Sequence, residues 1–402
     1  MRRCLLAVCL ALAACTAEPG PDPISSTLPP LTTTITTVPT VTSTDAPATT
    51  SGPTTTSVAT TTSTLSLDET TLAYQAVADL DFPVQLTARP GDSLSYVITK
   101  DGRVWALDGS VLAEQPVLDI SAQVRNEGEQ GLLSMALHPE DVGRFYLHYS
   151  DGNGDTVVSE FAFASPTQAD PASERVLLQV GQPASNHNGG MLQFLPGGAL
   201  LLGLGDGGGG GDRFGNGQNP DTLLGGQVVL NVDDADPAPA KYSMGLRNPW
   251  RFWIDEDLIY VADVGQNAFE EISVVPLQAG HNFGWPIAEG LHCFQTDPCD
   301  TTGQVIPVHE VGHGDAGTCS ITGGIVYRGA AIPQLNGHYF YSDYCGGYLR
   351  SLLYTDGAAS DLRDWTDQVG VPGQVTGFGV DGAGEMYVTT TRQVLEVVPA
   401  GG

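Results

Sequence analysis

Asp101-Gly102-Arg103-Val104-Trp105 places a polar glycine turn directly in front of an apolar strand, and the same phrase returns along the rest of the chain. It recurs as Gly143-Arg144-Phe145-Tyr146-Leu147, Gly197-Gly198-Ala199-Leu200-Leu201, Asp257-Leu258-Ile259-Tyr260-Val261, Gly337-His338-Tyr339-Phe340-Tyr341 and Gly384-Glu385-Met386-Tyr387-Val388. Between these phrases, short runs rich in Val, Leu, Tyr and Thr alternate with Gly, Asp, Asn and Pro, and no amphipathic helix of ordinary length follows Leu67. Such a pattern predicts an all-β body. Six occurrences at irregular spacing predict one inner hairpin per blade of a six-bladed β-propeller, with insertions between blades. A β-sandwich accounts for the strands but not for the count or the repeated phrase. In a propeller, loops on one face converge on a central cavity, so residues distant in sequence can share one site.

Not all 402 residues belong to that body. Residues 1–14 carry Arg2 and Arg3 followed by the apolar run Leu5 to Ala14, too short to span a bilayer, and read as a secretory signal. The ending Leu12-Ala13-Ala14-Cys15 is similar to a bacterial lipobox, which makes Cys15 the expected site of a lipid anchor and the only expected link to a membrane. The rest of 15–66 is almost wholly Thr, Ser, Pro and Ala. It cannot bury enough apolar surface to offset its ordering entropy and reads as an extended tether. Residues 67–402 form the predicted body, long enough for one large core.

The chain carries 16 Lys and Arg against 46 Asp and Glu, a formal charge of −30. That balance excludes nucleic acid as a partner, because phosphate contacts need Lys and Arg. The few arginines placed inside motifs therefore stand out. Four cysteines remain in the body, Cys293, Cys299, Cys319 and Cys345. An even number in an exported chain predicts two disulfides with three possible pairings, of which Cys293 with Cys299 across a short loop and Cys319 with Cys345 across neighbouring strands are favoured. The spacing lacks the close cysteine pairs of a zinc ribbon.

His187, in Asn186-His187-Asn188-Gly189-Gly190, leads the candidates for chemistry. Imidazole suits proton abstraction near neutral pH, and the small residues after it leave room for a ligand. A lone histidine of this kind is more often structural, so its neighbours decide. Glu129, at the head of an apolar strand, can orient a base, touch a ligand, or cap its turn. In Gly245-Leu246-Arg247-Asn248-Pro249, Arg247 suits an anionic ligand and Asn248 adds a directional amide, with a structural salt bridge as the competing role. Asp263-Val264-Gly265-Gln266-Asn267 offers glycine-permitted backbone carbonyls beside carboxylates, which suits calcium or simply a tight turn. The glycine-rich loop from Asp206 to Asn219 lacks the Lys-Ser/Thr ending of a phosphate loop.

Taken in order, Gly131-Leu132-Leu133 with His138-Pro139, His187-Asn188-Gly189-Gly190, Gly205-Asp206-Gly207-Gly208, Gly245-Leu246-Arg247-Asn248-Pro249, Asp263-Val264-Gly265-Gln266-Asn267, Asn282-Phe283-Gly284-Trp285 and Gly323-Gly324-Ile325-Val326-Tyr327-Arg328-Gly329 resemble the glucose/sorbosone dehydrogenase family. More narrowly the set resembles its soluble aldose sugar dehydrogenases, six-bladed propellers dependent on pyrroloquinoline quinone (PQQ) and grouped with a Hedgehog-interacting-protein-like branch. The resemblance implies that His187 takes the proton of a sugar's anomeric hydroxyl as hydride leaves that carbon for the quinone, with electrons passing on to an external acceptor. It further implies that Arg247, Asn248 and Arg328 hold the cofactor's carboxylates and oxygens, with Glu129 beside them. The carbonyls of Gly265 and Gln266 would bind Ca2+, and Glu270 and Trp285 would fall in the substrate pocket.

One position departs from the family pattern. Where the family commonly has arginine after Tyr-Cys-Ser-Gly, this chain reads Tyr344-Cys345-Gly346-Gly347-Tyr348, and the next arginine is Arg350. Loss of one charge-assisted contact weakens an anionic cofactor by roughly 1.5 to 3 kcal/mol. Beside the dehydrogenase reading therefore stands a second one, a cofactor-free cell-surface propeller that binds a carbohydrate or a protein.

Overall fold

A computed structural model describes residues 66–401. The expected signal, Cys15 and all of the tether before Ser66 lie outside the described residues. The body is all-β: among the described residues the α-helix is a single turn, Thr366–Val369, and no helix is long and apolar enough to cross a membrane.

The strands fall into successive antiparallel meanders. The first comprises Pro83–Ala88, Leu94–Thr99 and Arg103–Asp108, edged by the short strands Val111–Leu112 and Leu118–Asp119. The second runs Leu132–Leu137, Arg144–Ser150, Thr156–Ser165 and Gln168–Val180; the third Leu192–Phe194, Leu200–Leu204, Gly226–Leu230 and Ala240–Met244. The fourth is Arg251–Asp255, Leu258–Asp263, Phe269–Pro276 and His309–Gly312; the fifth Ile321–Val326, His338–Asp343, Arg350–Thr355 and Ala358–Asp364. The last, Val375–Val380, Met386–Thr390 and Gln393–Pro399, takes its outer strand from the start of the body: Leu72–Asp79 pairs antiparallel with Gln393–Pro399, Leu72 opposite Pro399.

Every occurrence of the glycine-turn phrase leads into a strand. In five of the meanders it introduces the second strand, whereas Arg103–Asp108 is the third of its own, because Pro83–Ala88 precedes Leu94–Thr99. Some first strands are buried on both faces, and their sequences are nearly all apolar or small: Ile321–Val326 is buried throughout, and Leu132–Leu137 at every residue but the last. The outer strand Ala358–Asp364, by contrast, has no buried residue.

A buried cation joins several of these first strands. Arg251 donates from Nη2 to the carbonyls of Val84 (3.0 Å) and Leu133 (3.1 Å) and from Nη1 to that of Trp250 (2.9 Å). Trp250 in turn donates its indole N–H to Thr376 O at 3.0 Å. The first, second, fourth and last meanders are thereby tied at their inner edges, and the apolar core lies between sheets in clusters such as Ile98, Val104, Leu132, Phe145 and Phe161.

Both disulfides have the favoured pairing, Cys293–Cys299 and Cys319–Cys345. They do different jobs. Cys293–Cys299 lies in the long excursion between Phe269–Pro276 and His309–Gly312, while Cys319–Cys345 links the approach to Ile321–Val326 with the turn after His338–Asp343. Beside the second bridge, the Asp343 carboxylate accepts the backbone N–H groups of Cys319, Ser320, Cys345 and Gly346.

Candidate functional site

His187 lies on the segment entering Leu192–Phe194, with a backbone φ of 57°, in the left-handed region that a side-chain-bearing residue seldom adopts. The conformation is held by close packing. A Cβ on Gly205 would fall 2.0 Å from the His187 carbonyl oxygen, so only glycine lets the chain leaving Leu200–Leu204 run against the histidine. The backbone N–H of His187 donates to Glu129 Oε2 at 2.7 Å.

The imidazole is buried and carries a partner that its local sequence does not reveal. Its Nδ1 is 2.6 Å from Asp206 Oδ1, and that carboxylate also accepts the N–H of Gly208 (2.9 Å) and, on Oδ2, the indole N–H of Trp285 (2.9 Å). With Nδ1 engaged by a carboxylate, Nε2 is the ring atom left to accept a proton, the geometry of an oriented general base. Trp285 is itself packed against Phe294, next to Cys293 in the disulfide loop, with ring centroids 4.7 Å apart.

Arg247 and Asn248 leave their strand on a backbone gripped by one acid: Asp263 accepts Arg247 N at 2.8 Å and Asn248 N at 2.7 Å. Burial pushes the Asp263 carboxyl up from its ordinary range, and the same holds for the neighbouring Glu271. The Arg247 guanidinium donates to Val264 O (2.9 Å) and Gln266 Oε1 (3.3 Å) and lies 5.7 Å from the Trp285 ring centroid. Asn248 bridges toward the histidine, giving Nδ2–H to Glu129 Oε2 (3.2 Å) and accepting Gly189 N–H on Oδ1 (2.9 Å). His187, Glu129, Asn248, Arg247, Asp206 and Trp285 thus form one hydrogen-bonded and packed group.

Glu129, Asn248 and Val264 line a cavity of about 390 Å³ whose wall also includes Lys100, Thr322 and Tyr344. Neither His187 nor Arg247 lines it directly; they reach it through Glu129, Asn248 and Val264. Several buried polar atoms here have no protein partner: Thr322 Oγ1, and both Oδ1 and Nδ2 of Asn188, the residue after the histidine. A larger cavity of about 630 Å³ lies elsewhere, lined by Arg89, Arg251, Met135 and Met191 among others, and holds none of the expected site residues.

The other expected residues divide. Gly265 and Gln266 sit beside this group, in a loop whose N–H groups at Gln266, Asn267, Ala268 and Phe269 all point at Glu289 Oε1. Glu270 is buried behind that loop rather than on the cavity wall. It accepts Gly265 N–H at 3.2 Å and Ile321 N–H at 2.9 Å on Oε2 and meets His313 Nε2 at 2.6 Å on Oε1; burial raises its carboxyl, and the Glu270 partner raises His313. Arg328 is not brought to the group at all: it is partly exposed and forks onto Asp255, with contacts of 3.0 and 2.7 Å. Tyr348, at the departing position, is buried against Tyr341, and Arg350 lies over its ring while ion-paired to Asp315 and Asp364.

Three participants were missed from the sequence as site residues. Asp206 was quoted only as part of a glycine motif, although an acid flanked by glycines after an apolar strand is itself a signal. Asp263 acts through backbone N–H groups, which leave no sequence trace. Lys100 sits in an ordinary-looking Lys-Asp-Gly turn.

The sequence profile described as Glucose / Sorbosone dehydrogenase matches residues 80–390. Among curated proteins, the chain is 27% identical over 385 residues to the HIPL1 protein of Arabidopsis thaliana, covering 70% of this chain and 55% of that one. It is 24% identical over 370 residues to the Hedgehog-interacting protein of Homo sapiens, covering 80% and 50%. The chain spans about half the length of these curated relatives. Among solved structures, the PQQ-bound form of aldose sugar dehydrogenase from Streptomyces coelicolor aligns with a TM-score of 0.66 at 20% identity, over 82% of this chain and 98% of that one. The apo-form of soluble aldose sugar dehydrogenase from Escherichia coli aligns with a TM-score of 0.68 at 22% identity, over 82% and 100%. At such identities the structural likeness speaks for the fold.

Proposed function

We propose, from the premise that the chain belongs to the glucose/sorbosone dehydrogenase family, that it is a six-bladed propeller oxidising an aldose at its anomeric carbon to the lactone. The reading takes PQQ and Ca2+ as cofactors and an external acceptor for the electrons. The successive meanders, the last closed by Leu72–Asp79, support the six-bladed description.

The observation that carries the reading is the buried His187–Asp206 pair. Asp206 fixes the ring through Nδ1 and leaves Nε2 to take the proton of the anomeric hydroxyl. Trp285 and Gly208 hold the carboxylate in turn. PQQ, when bound beside calcium, supplies the acceptor for the hydride that leaves the same carbon.

The residues present suit such a group. Arg247 and Asn248 offer an anion a cation and an amide on a backbone fixed by Asp263. The unpartnered Thr322 Oγ1 is a polar atom on the cavity wall in want of a ligand or water. The carbonyls of Gly265 and Gln266 are the oxygen ligands proposed for calcium. The fork of Arg328 on Asp255 leaves Arg247 as the arginine at the site. Two disulfides fit an oxidising compartment, in keeping with an exported chain anchored through Cys15.

The full-length chain, supplied with PQQ and CaCl2, is expected to bind the quinone and reduce a dye with members of an aldose panel. His187→Ala should keep quinone binding and lose roughly 10²- to 10⁴-fold in kcat. Absence of quinone binding sinks the enzyme reading. The second reading, a cofactor-free surface propeller binding a carbohydrate or protein, is favoured by the match to Hedgehog-interacting protein and by buried Tyr348 at the family's arginine position. Immobilised sugars or proteins retained by a chain that does not bind PQQ would support it.

A further inference from the structure

We propose that Lys100 is the anion anchor of the central cavity and receives a carboxylate of the quinone cofactor. The inference rests on the dehydrogenase reading and adds to it a residue that neither the motifs nor the family comparison assigns.

Half of the fourteen lysines and arginines among the described residues are spent on carboxylates. Arg103, Arg125, Arg144, Arg175, Arg328, Arg350 and Arg363 are all ion-paired. Lys100, like Arg247 and Arg251, is buried without an ion pair among the described residues: it is 7% exposed, although the chain has 46 acidic residues to offer, and of the three it is the one on the cavity wall. Its Nζ donates to Asn126 Oδ1 at 2.7 Å and lies 5.2 Å from the centroid of the Phe82 ring. An ammonium has three N–H donors, and burying it without a counter-charge is costly. Burial accordingly lowers the Lys100 pKa. An anionic ligand in the cavity that Lys100 lines removes that cost.

The surroundings are built to keep the side chain there. A Cβ on Gly131 would fall 2.5 Å from Lys100 Cγ, so the glycine makes room for the stem. The main chain on either side is pinned, Lys100 N to Phe82 O at 3.0 Å and Leu132 N to Lys100 O at 2.9 Å. Glu129, the carboxylate lining the same cavity, makes no ion pair with the lysine and turns its Oε2 to His187 N and Asn248 Nδ2 instead. Arg328, which the resemblance offered for the cofactor, and Arg350, the next arginine after the departing position, are both engaged elsewhere, Arg328 on Asp255 and Arg350 on Asp315 and Asp364. Lys100 supplies a cation in their stead, from a meander at the opposite end of the sequence.

The test is direct PQQ binding to the full-length chain with calcium present, read by fluorescence quenching and not by turnover. Lys100→Met is expected to weaken binding by roughly 10- to 100-fold, with Lys100→Arg restoring most of it. Wild-type protein that binds while Lys100→Met binds equally well overturns the anchor and leaves the dehydrogenase reading standing. Wild-type protein that does not bind overturns both. Should Lys100→Met fail to fold, the wild type still decides: the chain has only two lysines, Lys100 and Lys241. With ¹³C-labelled lysine, PQQ should shift the Lys100 side-chain signal and leave that of Lys241, which donates to Thr222 O and Leu224 O, in place. An unmoved Lys100 signal at saturating quinone refutes the proposal.

Discussion

Trp285 donates its indole N–H to Asp206 Oδ2 at 2.9 Å, on the carboxylate oxygen opposite the one that meets His187 Nδ1. Trp285→Phe keeps an aromatic ring beside Phe294 but deletes the donor along with part of the indole, leaving Asp206 freer to turn away from the imidazole. The expected result is a fall in kcat of roughly tenfold at unchanged quinone affinity, measured by steady-state dye reduction beside a binding titration. A kcat equal to wild type would show that the indole merely fills space.

The two disulfides should differ in worth. Cys319–Cys345 spans 26 residues and Cys293–Cys299 spans 6. On the chain-entropy account, Cys319→Ser/Cys345→Ser costs about 3.5 kcal/mol and Cys293→Ser/Cys299→Ser about 2. Urea unfolding of the two double variants measures the order, which Asp343 can narrow by continuing to hold the Cys319 and Cys345 N–H groups.

His148 gives the fold a sensitivity to acid. It is fully buried, its Nδ1 is 2.9 Å from Gly190 O, and burial pushes its pKa from 6.5 down to about 4. Above about pH 6.5 neither the folded nor the unfolded chain binds this proton; as pH falls toward 4 only the unfolded chain does. Stability should therefore drop across that window, by up to about 3 kcal/mol from this one group. His148→Gln should flatten the slope of unfolding free energy between pH 6.5 and 4, and an identical slope would assign the acid sensitivity to other groups.

Arg251 should be among the most destabilising single positions to truncate. Arg251→Met removes a buried charge, but it also strips the carbonyls of Val84, Leu133 and Trp250 of their shared donor. Unsatisfied buried acceptors cost about 1 to 3 kcal/mol each, so the net loss in thermal or urea melts should be at least 3 kcal/mol. Site loops built on the same inner edges should loosen with it, visible as faster hydrogen exchange at Gly189 and Asn248.

Much of the architecture was legible because its signals are local. A polar turn followed by an apolar run is complete within five residues, and each such phrase marks a strand, the second of its meander everywhere but at Arg103–Asp108, where an additional strand precedes it. The cysteines pair as their spacing favours, Cys293 with Cys299 and Cys319 with Cys345. At the site, His187, Glu129 and Asn248 do come together, and Trp285 joins them, but as the support of an acid instead of a wall for substrate. Arg328 was misjudged because its fate depends on Asp255, 73 residues away, and no motif records that pairing. Lys100 was invisible for the converse reason. A lysine in a polar turn ordinarily faces water, and only the fold shows that it does not.

The pairing of Leu72–Asp79 with Gln393–Pro399 also sets a timetable. As the chain emerges from a ribosome or a translocation pore, the first strand of the body is made early yet stays without its partner until nearly everything else has appeared. The last meander cannot be completed by any shortened product, so a chain ending before Gln393 keeps an open edge with unsatisfied N–H and C=O groups. Such fragments should be recognised and degraded as unfinished. The joint that completes the last meander thus also checks that synthesis has passed Pro399.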